Sequence, residues 1–200
     1  MGVAIGKGEL LPVNGFLEQI AAGKSMGGWP IIGSALRQQL DCDLQGALER
    51  CRGFVIAGDV WYATDILGER VPGPALVAKF EAVLPLLSDW RQDQNRWVRR
   101  AVGVSVHLWA KRARGSPEKA AQAEKLLAFL EPLFSERDMD AVKGIGWGLK
   151  TMGRYYPNVT AEWLRRQVAM RPCRTLMLRK ALTYLPAEQR LIVEKSAGAS

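Results

Sequence analysis

The chain has 200 residues, of which 48% are hydrophobic and 24% are charged, a balance that indicates a globular protein and excludes an intrinsically disordered one. Its apolar runs are too short to cross a bilayer, and its first residues do not place a charged region before an apolar one, as a signal peptide would. The three cysteines are scattered and His107 is the single histidine, so we expect a reduced cytoplasmic protein without a disulfide framework or a metal site.

Positive charge is concentrated in the second part of the chain. Residues 1–90 carry 7 Lys and Arg against 10 Asp and Glu, whereas residues 91–200 carry 21 against 10, so the net charge changes from −3 to +11. A basic surface of this kind is expected of a protein that binds a polyanion. A soluble protein that happens to be basic is the alternative, because net charge alone does not specify a partner.

Predicted helices follow one another along most of the chain. Residues 1–30 are rich in glycine and only weakly periodic, with a short helix expected near 16–22. Beyond them, proline in a first turn and the predicted N-cap Asp43 mark helix starts. The pattern predicts helices at 30–40, 43–57, 59–68, 74–89, 94–113, 116–135, 138–155, 159–170, 174–184 and 187–195. No segment alternates polar and apolar residues as a strand would, so the predicted fold is all-α.

The short connections between these helices predict a particular all-α architecture. Antiparallel pairs are expected to stack into an α-solenoid of HEAT-like units, each of about 40–47 residues. We expect residues 1–200 to form a single domain of this kind, in which residues 1–30 are irregular or make a shortened N-terminal repeat. The concave side of such a stack is a natural groove for an elongated ligand, and the charge distribution predicts that this groove is basic.

The first candidate site lies in the helix predicted at 59–68. Trp61 and Asp65 are four residues apart, which places an aromatic ring and a carboxylate on one helical face. A carboxylate in this position could stabilise a cation that develops in a transition state. A core tryptophan beside a solvated aspartate is the alternative, because so short a motif often arises by chance.

A second candidate face lies on the helix predicted at 94–113. Its members are spaced four, three and four residues apart: Arg96, Arg100, Gly103 and His107. Two arginines, a glycine that permits close approach and a histidine suit contacts with a phosphate backbone. The alternative is a solvated face whose arginine stems cover neighbouring apolar surface.

A third candidate face lies on the helix predicted at 138–155, where a tryptophan is in line with three cations: Lys143, Trp147, Lys150 and Arg154. Glycines surround this tryptophan at positions 144, 146 and 148, although each costs about 1 kcal/mol relative to alanine inside a helix. Close approach of another backbone, either DNA or a neighbouring helix, is the usual reason for such glycines. A Trp147 that faces a ligand is the favoured interpretation, and a buried core tryptophan is the alternative.

The three segments together resemble the DNA alkylation repair enzymes, the AlkD-like DNA glycosylases built of HEAT-like helical repeats. The stretches that carry the resemblance are Trp61–Asp65 with Val71–Gly73, then Arg96–Ala101, then Val142–Leu149. Asp65 precedes Arg100 by 35 residues, and Arg100 precedes Trp147 by 47. Each motif alone is weak, but three in this order and at these separations are fairly specific. The resemblance covers about residues 40–190.

The resemblance implies a monofunctional glycosylase of base-excision repair. Such enzymes hydrolyse the N-glycosidic bond of cationic N-alkylated purines, such as 3-methyladenine and 7-methylguanine, in double-stranded DNA. Carried over by motif, Asp65 would be the catalytic carboxylate, and Trp61 and Trp147 would be aromatic walls around the deoxyribose of the lesion. Contacts with the DNA backbone would come from Arg100, Lys143 and Arg179. No cofactor or metal is implied, and we expect a monomer in the bacterial cytosol or nucleoid.

The helical faces add further candidate DNA contacts to those that the resemblance implies: Arg96, His107, Lys150 and Arg154. Two other functions are compatible with the same residues. One is a HEAT-like module that recognises DNA or RNA by its backbone charge without catalysis, and the other is a helical-repeat scaffold for an acidic protein. A Ser–His hydrolase is excluded, because Ser105 and His107 are two residues apart on one helix and point to different faces. The chain also lacks the GxxxxGK[ST] pattern of nucleotide hydrolases.

Overall fold

The computed structural model describes residues 1–198, which are mostly α-helical and contain no strand. The predicted all-α fold is therefore confirmed. The helices are α1 (Gly2–Ile5), α2 (Leu10–Ala22), α3 (Gly28–Gln39), α4 (Leu44–Gly58), α5 (Trp61–Arg70), α6 (Pro72–Ala78), α7 (Phe80–Leu86), α8 (Arg96–Ala113), α9 (Ala120–Leu130), α10 (Met139–Tyr155), α11 (Pro157–Met170), α12 (Thr175–Leu182) and α13 (Ala187–Gly198). Short 3₁₀ turns lie at Asp89–Gln92, Pro117–Lys119 and Glu131–Ser135.

Polar side chains fix the starts of the longest helices. The carboxylate of Asp43 accepts a hydrogen bond from the backbone N–H of Gly46 at 3.1 Å, as its predicted role as the N-cap of α4 requires. At the start of α8, the side chain of Asn95 accepts from the backbone N–H of Trp97 at 2.8 Å. Asp138 does the same for the first turn of α10. These caps satisfy backbone donors that a helix leaves without a partner at its N-terminus.

The helices form two layers, as predicted for an α-solenoid. In the first layer, α3, α5, α8, α10 and α12 contact each other in that order. In the second layer, α2 contacts α4, and α11 contacts both α9 and α13. Contacts such as those of α4 with α5 and of α10 with α11 join the layers. The three helices that carry the predicted site residues, α5, α8 and α10, are therefore consecutive neighbours in the first layer.

The prediction of irregular structure at residues 1–30 is wrong, because α1, α2 and the start of α3 are helical there. The glycines responsible for that prediction serve close packing. A Cβ on Gly2 would lie 2.5 Å from the carbonyl oxygen of Ile31, and one on Gly6 would lie 2.4 Å from that of Ala35. Glycine therefore lets α1 lie directly against the backbone of α3. That these residues make a shortened repeat stays a prediction.

Two long helices expected from the sequence are interrupted. The segment predicted at 74–89 divides at Lys79, whose backbone leaves the helical region, and its ammonium group donates to the carbonyl oxygen of Leu40 at 2.8 Å. The segment predicted at 116–135 begins and ends in 3₁₀ turns, each with a proline in its first turn. The proline ring restricts the local backbone and removes a hydrogen-bond donor. Neither interruption changes the order of the layers.

The core of the protein is a connected cluster of buried apolar side chains that extends from Val13 to Val193. Helices of both layers contribute buried apolar side chains to this cluster. Among residues 1–198, no helix has both the length and the hydrophobicity that a bilayer crossing requires. The assignment of the whole chain to one domain stays a prediction.

Candidate active site and nucleic-acid interface

Glycines bring α8 and α10 into direct backbone contact. A Cβ on Gly103 would lie 2.4 Å from the carbonyl group of Gly144, and one on Gly148 would lie 2.6 Å from the carbonyl oxygen of Gly103. Gly146 faces the other way, and a Cβ there would lie 2.8 Å from Cδ of Lys180 on α12. Of the two explanations for these glycines, close approach of a neighbouring helix is therefore the one that the structure supports.

Helix α5 joins this pair from the opposite side through Gly68. A Cβ at that position would lie 2.9 Å from a methyl group of Val104 on α8. Thr64, one turn earlier, is fully buried and donates its hydroxyl to the carbonyl oxygen of Val60 at 3.0 Å. The buried face of α5, which includes Leu67, is thereby fixed against α8, and Asp65, between these contacts, has a side chain that reaches the surface.

Asp65 and Arg100 form a bidentate ion pair between α5 and α8. Nε of Arg100 donates to one carboxylate oxygen of Asp65 and Nη2 donates to the other, both at 2.7 Å. Paired charged hydrogen bonds of this geometry are among the strongest in proteins and fix orientation as well as distance. The side chain of Asp65 is 17% exposed, so the carboxylate is held rigidly at the protein surface.

The position of Arg100 favours a role other than the predicted contact with phosphate. Its residue is only 7% exposed, and Nη1 donates to the backbone carbonyl of Asp140 at 3.0 Å. The absence of a side chain at Gly144 makes room for it, because a Cβ there would lie 2.5 Å from Cγ of Arg100. A direct contact with phosphate was expected, but Arg100 directs its guanidinium group to Asp65 and to α10.

Trp61 lies one helical turn before Asp65 and is 57% exposed. Its ring meets that of Tyr62 edge to face, with centroids 5.8 Å apart. Because the core does not cover this large apolar ring, the alternative of a core tryptophan is wrong. The exposed indole and the carboxylate of Asp65 are both on the outward side of α5.

Arg96 and Lys143 are close to carboxylates. Arg96 lies 3.4 Å from Asp59 and also 3.4 Å from Asp140, and its guanidinium group lies 4.9 Å above the ring of Trp97. Lys143 lies 3.6 Å from Asp140. Both cations are about half exposed, but these carboxylates offset part of the charge that they offer to a phosphate.

His107 is not a surface residue, which disfavours its predicted contact with the DNA backbone. The residue is 7% exposed, and its ring stacks on that of Trp147, with centroids 3.9 Å apart and planes inclined by 26°. Nδ1 lies 2.7 Å from the hydroxyl oxygen of Thr151, and Nε2 lies 3.6 Å from the carboxylate of Glu69. Both ring nitrogens therefore face protein groups. Trp147 itself is half-buried, between the exposed and the core alternatives.

The later turns of α10 present cations that have no acidic partner. Among residues 1–198, no carboxylate lies within ion-pair distance of Lys150, Arg154, Arg179 or Lys180. The ring of Tyr184 lies 4.7 Å from Nζ of Lys150 and 5.2 Å from the guanidinium carbon of Arg154. These cations and Tyr184 together are called the basic patch below.

Lys180 and Tyr184 are members of this patch that sequence reasoning missed. Burial lowers the pKa of Lys180, and the positive charges of Lys150, Arg100, Arg179 and Lys143 lower it further. Such mutual repulsion marks a place where an anion would be stabilised. The sequence signal was the pair of adjacent cations at 179 and 180, whereas the partnership with α10 depends on how α12 packs.

Among residues 1–198, no group of three His, Cys, Asp or Glu side chains is close enough to hold a metal ion. The arrangement that the structure does present has two parts. One is the oriented carboxylate of Asp65 beside the exposed ring of Trp61, and the other is the basic patch, which α8 and α10 connect to it.

A helical stack that joins such a carboxylate and aromatic ring to uncompensated cations is suited to act on a polyanion. The sequence profile of the family described as DNA alkylation repair enzyme matches residues 31–185, which is more than half of the chain. The chain belongs to this family of DNA repair enzymes, so the resemblance noted in the sequence is confirmed at the family level. Comparison with curated proteins and comparison with solved structures each gave no significant match.

Proposed function

We propose that the protein is a DNA glycosylase that releases cationic N-alkylated purines, such as 3-methyladenine and 7-methylguanine, from double-stranded DNA. The observation that carries this proposal is the carboxylate of Asp65. It is oriented by two hydrogen bonds of 2.7 Å from Arg100, and it lies four residues from the exposed ring of Trp61. Family membership supports a DNA repair reaction, and these residues supply a chemistry for it.

The reaction needs little from the enzyme beyond electrostatic stabilisation. An N-alkylated purine already carries a positive charge, so the base leaves without being protonated. The electrons of the bond between C1′ and the base nitrogen go to the base, which departs as a neutral molecule, and the deoxyribose becomes an oxocarbenium-like cation. Water then adds to C1′ and loses a proton. The products are the free alkylpurine, an abasic site and one proton.

In this scheme Asp65 stabilises the sugar cation and accepts the proton of the attacking water. Arg100 is the positioning residue for Asp65, because its two hydrogen bonds fix the plane of the carboxylate. Each carboxylate oxygen has two lone pairs, so the bidentate pair leaves one on each oxygen for the substrate and water. The role of Arg100 is thus to prepare the carboxylate in advance, and not to bind phosphate.

The two tryptophans are proposed to flank the deoxyribose of the lesion. An aromatic face attracts a nearby cation by roughly 0.5–2 kcal/mol, depending on how far the contact excludes water. Trp61 is exposed enough to make such a contact without rearrangement. Trp147 is half-buried, and one of its faces is covered by His107, so its other face or its edge would meet the sugar.

The DNA backbone is proposed to follow the basic patch along a groove formed by the first layer of helices. Lys150, Arg154, Arg179 and Lys180 have no acidic partner in residues 1–198, so they are available to neutralise phosphates. Arg96 and Lys143 are expected to contribute less, because Asp140 lies close to both. Phosphate contacts of this type give affinity without sequence preference.

The test is release of free base from methylated duplex DNA. We expect 3-methyladenine and 7-methylguanine to appear in solution together with an equal number of abasic sites. We also expect the strands to stay intact until they are treated with alkali, because the scheme uses no lysine adduct. Strand cleavage without alkali would contradict the monofunctional reaction, and no release of base would contradict the glycosylase assignment.

A non-catalytic DNA-binding role is the second candidate. The observation that favours it is the coverage of both Asp65 oxygens by Arg100, which would be retained by a protein that no longer uses the carboxylate. Salt-sensitive duplex binding without release of any alkylated base would support this role. Absence of salt-sensitive duplex binding would contradict this role.

A further inference from the structure

The ring of Trp147 is held by side chains from three helices, which together are called the indole cluster below. His107 of α8 stacks on it, Thr151 of α10 binds the His107 ring, and Glu69 of α5 faces the far side of that ring. Every member except Trp147 lies outside the set of residues proposed to touch the substrate. The cluster thus connects a candidate substrate wall to the interior of the protein.

Hydrogen bonds join the indole cluster to the backbone of α10. The hydroxyl of Thr151 donates its single proton to the backbone carbonyl of Trp147 at 3.0 Å. The same hydroxyl oxygen lies 2.7 Å from Nδ1 of His107, so a short hydrogen bond joins the two side chains. These contacts fix the plane of the imidazole ring.

Glu69 completes the cluster on the Nε2 side. Its carboxylate lies 3.6 Å from Nε2 of His107, and its interaction with His107 lowers the pKa of Glu69, while its partial burial acts in the opposite direction. Lys111 and Arg70 add a further lowering by their positive charges. Nε2 makes no hydrogen bond among residues 1–198, so the ring is anchored at Nδ1 and faces the negative charge of Glu69 on its other side.

We propose that His107 is a positioning residue for Trp147, because it occupies the inner face of the indole and leaves only the opposite face and the edge for DNA. Ring centroids 3.9 Å apart leave no space for another group between them. His107 is 7% exposed and anchored at Nδ1, so it cannot follow the indole outward. The inference rests on the proposed function, which gives Trp147 its place beside the lesion.

The physical effect of this arrangement is preorganisation. A tryptophan side chain that is free to rotate must be ordered when the sugar cation forms, and that ordering raises the barrier. A ring that is already fixed makes its contact without this cost. The contribution therefore belongs to the chemical step, and we expect it to appear in kcat and not in KM.

The experiment compares His107→Ala and His107→Phe with the wild type. The readout is the fluorescence emission of Trp147, called the indole signal below. It is separated from that of the other six tryptophans by subtracting the emission of the same protein with Trp147→Phe. We expect His107→Ala to red-shift this signal and to lower kcat about tenfold with KM and duplex affinity unchanged. His107→Phe keeps a stacked ring without its hydrogen bonds, so it should recover part of kcat.

Ser105→Ala is the matched control, because Ser105 is a fully buried polar residue on the same helix whose hydroxyl donates only to Ala101 of that helix. It should leave both the indole signal and kcat unchanged. If His107→Ala does not fold, Thr151→Val and Glu69→Gln take its place, because both substitutions keep the size of the side chain. Each should shift the indole signal in the same direction.

An unchanged indole signal in folded variants of His107 would overturn the inference, and so would a change confined to KM. If the wild type releases no base, the proposed function fails, but the fluorescence comparison still decides whether His107 holds the ring. The two failures are therefore distinguishable.

Discussion

The guanidinium group of Arg100 donates a hydrogen bond of 2.7 Å to each carboxylate oxygen of Asp65 across the interface of α5 and α8. The same arginine reaches the backbone of α10 at Asp140. One side chain thus fixes the three helices that carry the candidate site relative to each other. Its removal would leave a partly buried carboxylate without its partner, which is costly in proteins.

Arg100→Lys tests the positioning role of this arginine. Lysine keeps the charge but lacks the planar fork that holds both oxygens of Asp65. We expect the single-turnover rate of base release to fall by about tenfold or more, because the carboxylate is no longer oriented. The slope of log affinity against log salt for a duplex should stay unchanged. An unchanged rate in the folded variant would contradict the positioning role.

Neutralising the basic patch should weaken DNA binding without affecting the chemistry. Lys150→Gln and Arg154→Gln should each reduce the slope of log affinity against log salt by about one. Lys125→Gln is the matched control, because Lys125 is a half-exposed cation that is paired with Glu81 at 2.7 Å. Duplex affinity measured over a range of salt concentrations checks this prediction. Equal slopes for all three variants would place the DNA elsewhere on the protein.

Gly103→Ala should destabilise the fold by about 1–3 kcal/mol, the usual cost of forcing extra atoms into a packed site. The added methyl group would meet the backbone of Gly144 at 2.4 Å, so α8 and α10 would have to separate. Gly53→Ala is the control, because no atom lies within 4 Å of a Cβ at that helical position and alanine favours a helix by about 0.5–1 kcal/mol. Denaturant unfolding of both variants measures the difference. Similar midpoints would show that this contact between α8 and α10 does not limit stability.

The pair of Glu136 with Arg99 predicts a loss of stability in acid. Burial by itself would raise the pKa of Glu136, but hydrogen bonds from Arg99 and from the backbone of Asp138 and Arg137 lower it below its ordinary value. Because this pKa is lowered, the pair stabilises the fold at any pH above the ordinary pKa of a glutamate. This stabilisation is lost as the pH falls through the pKa of Glu136 in the folded protein. Glu136→Gln should flatten the dependence of unfolding free energy on pH in that acidic range. An identical dependence in the variant would contradict the assignment.

Local features of the fold were predictable because their causes are local. The cap at Asp43, the helical periodicity of 96–113 and the absence of strand alternation depend on residues close together in sequence. The glycines of α10 indicated that another backbone comes close. The sequence could not show whether that backbone belongs to DNA or to a neighbouring helix. Residues 1–30 were misjudged for the same reason, because their glycines pack against α3.

The candidate site was predictable only in part. Asp65 and Trp61 share a face by simple spacing, and the exposure of Trp61 agrees with that prediction. The burial of His107 depends on α5 and α10 meeting around α8, a long-range register that no pattern in one helix reveals. The pairing of Arg100 with Asp65, 35 residues away, was missed for the same reason.

Release of 7-methylguanine from methylated duplex DNA by the wild type and by Asp65→Glu, side by side, tests the central claim most directly. The glutamate keeps the negative charge near Arg100 but displaces the carboxylate by one methylene group, and thermal unfolding and duplex affinity verify that the variant is folded and binds. We predict release by the wild type and a rate at least about 100-fold lower for the variant, because misplacing a catalytic group by about 1 Å costs a rate factor of this order. Equal rates would remove Asp65 from the reaction, and release by neither protein would contradict the glycosylase.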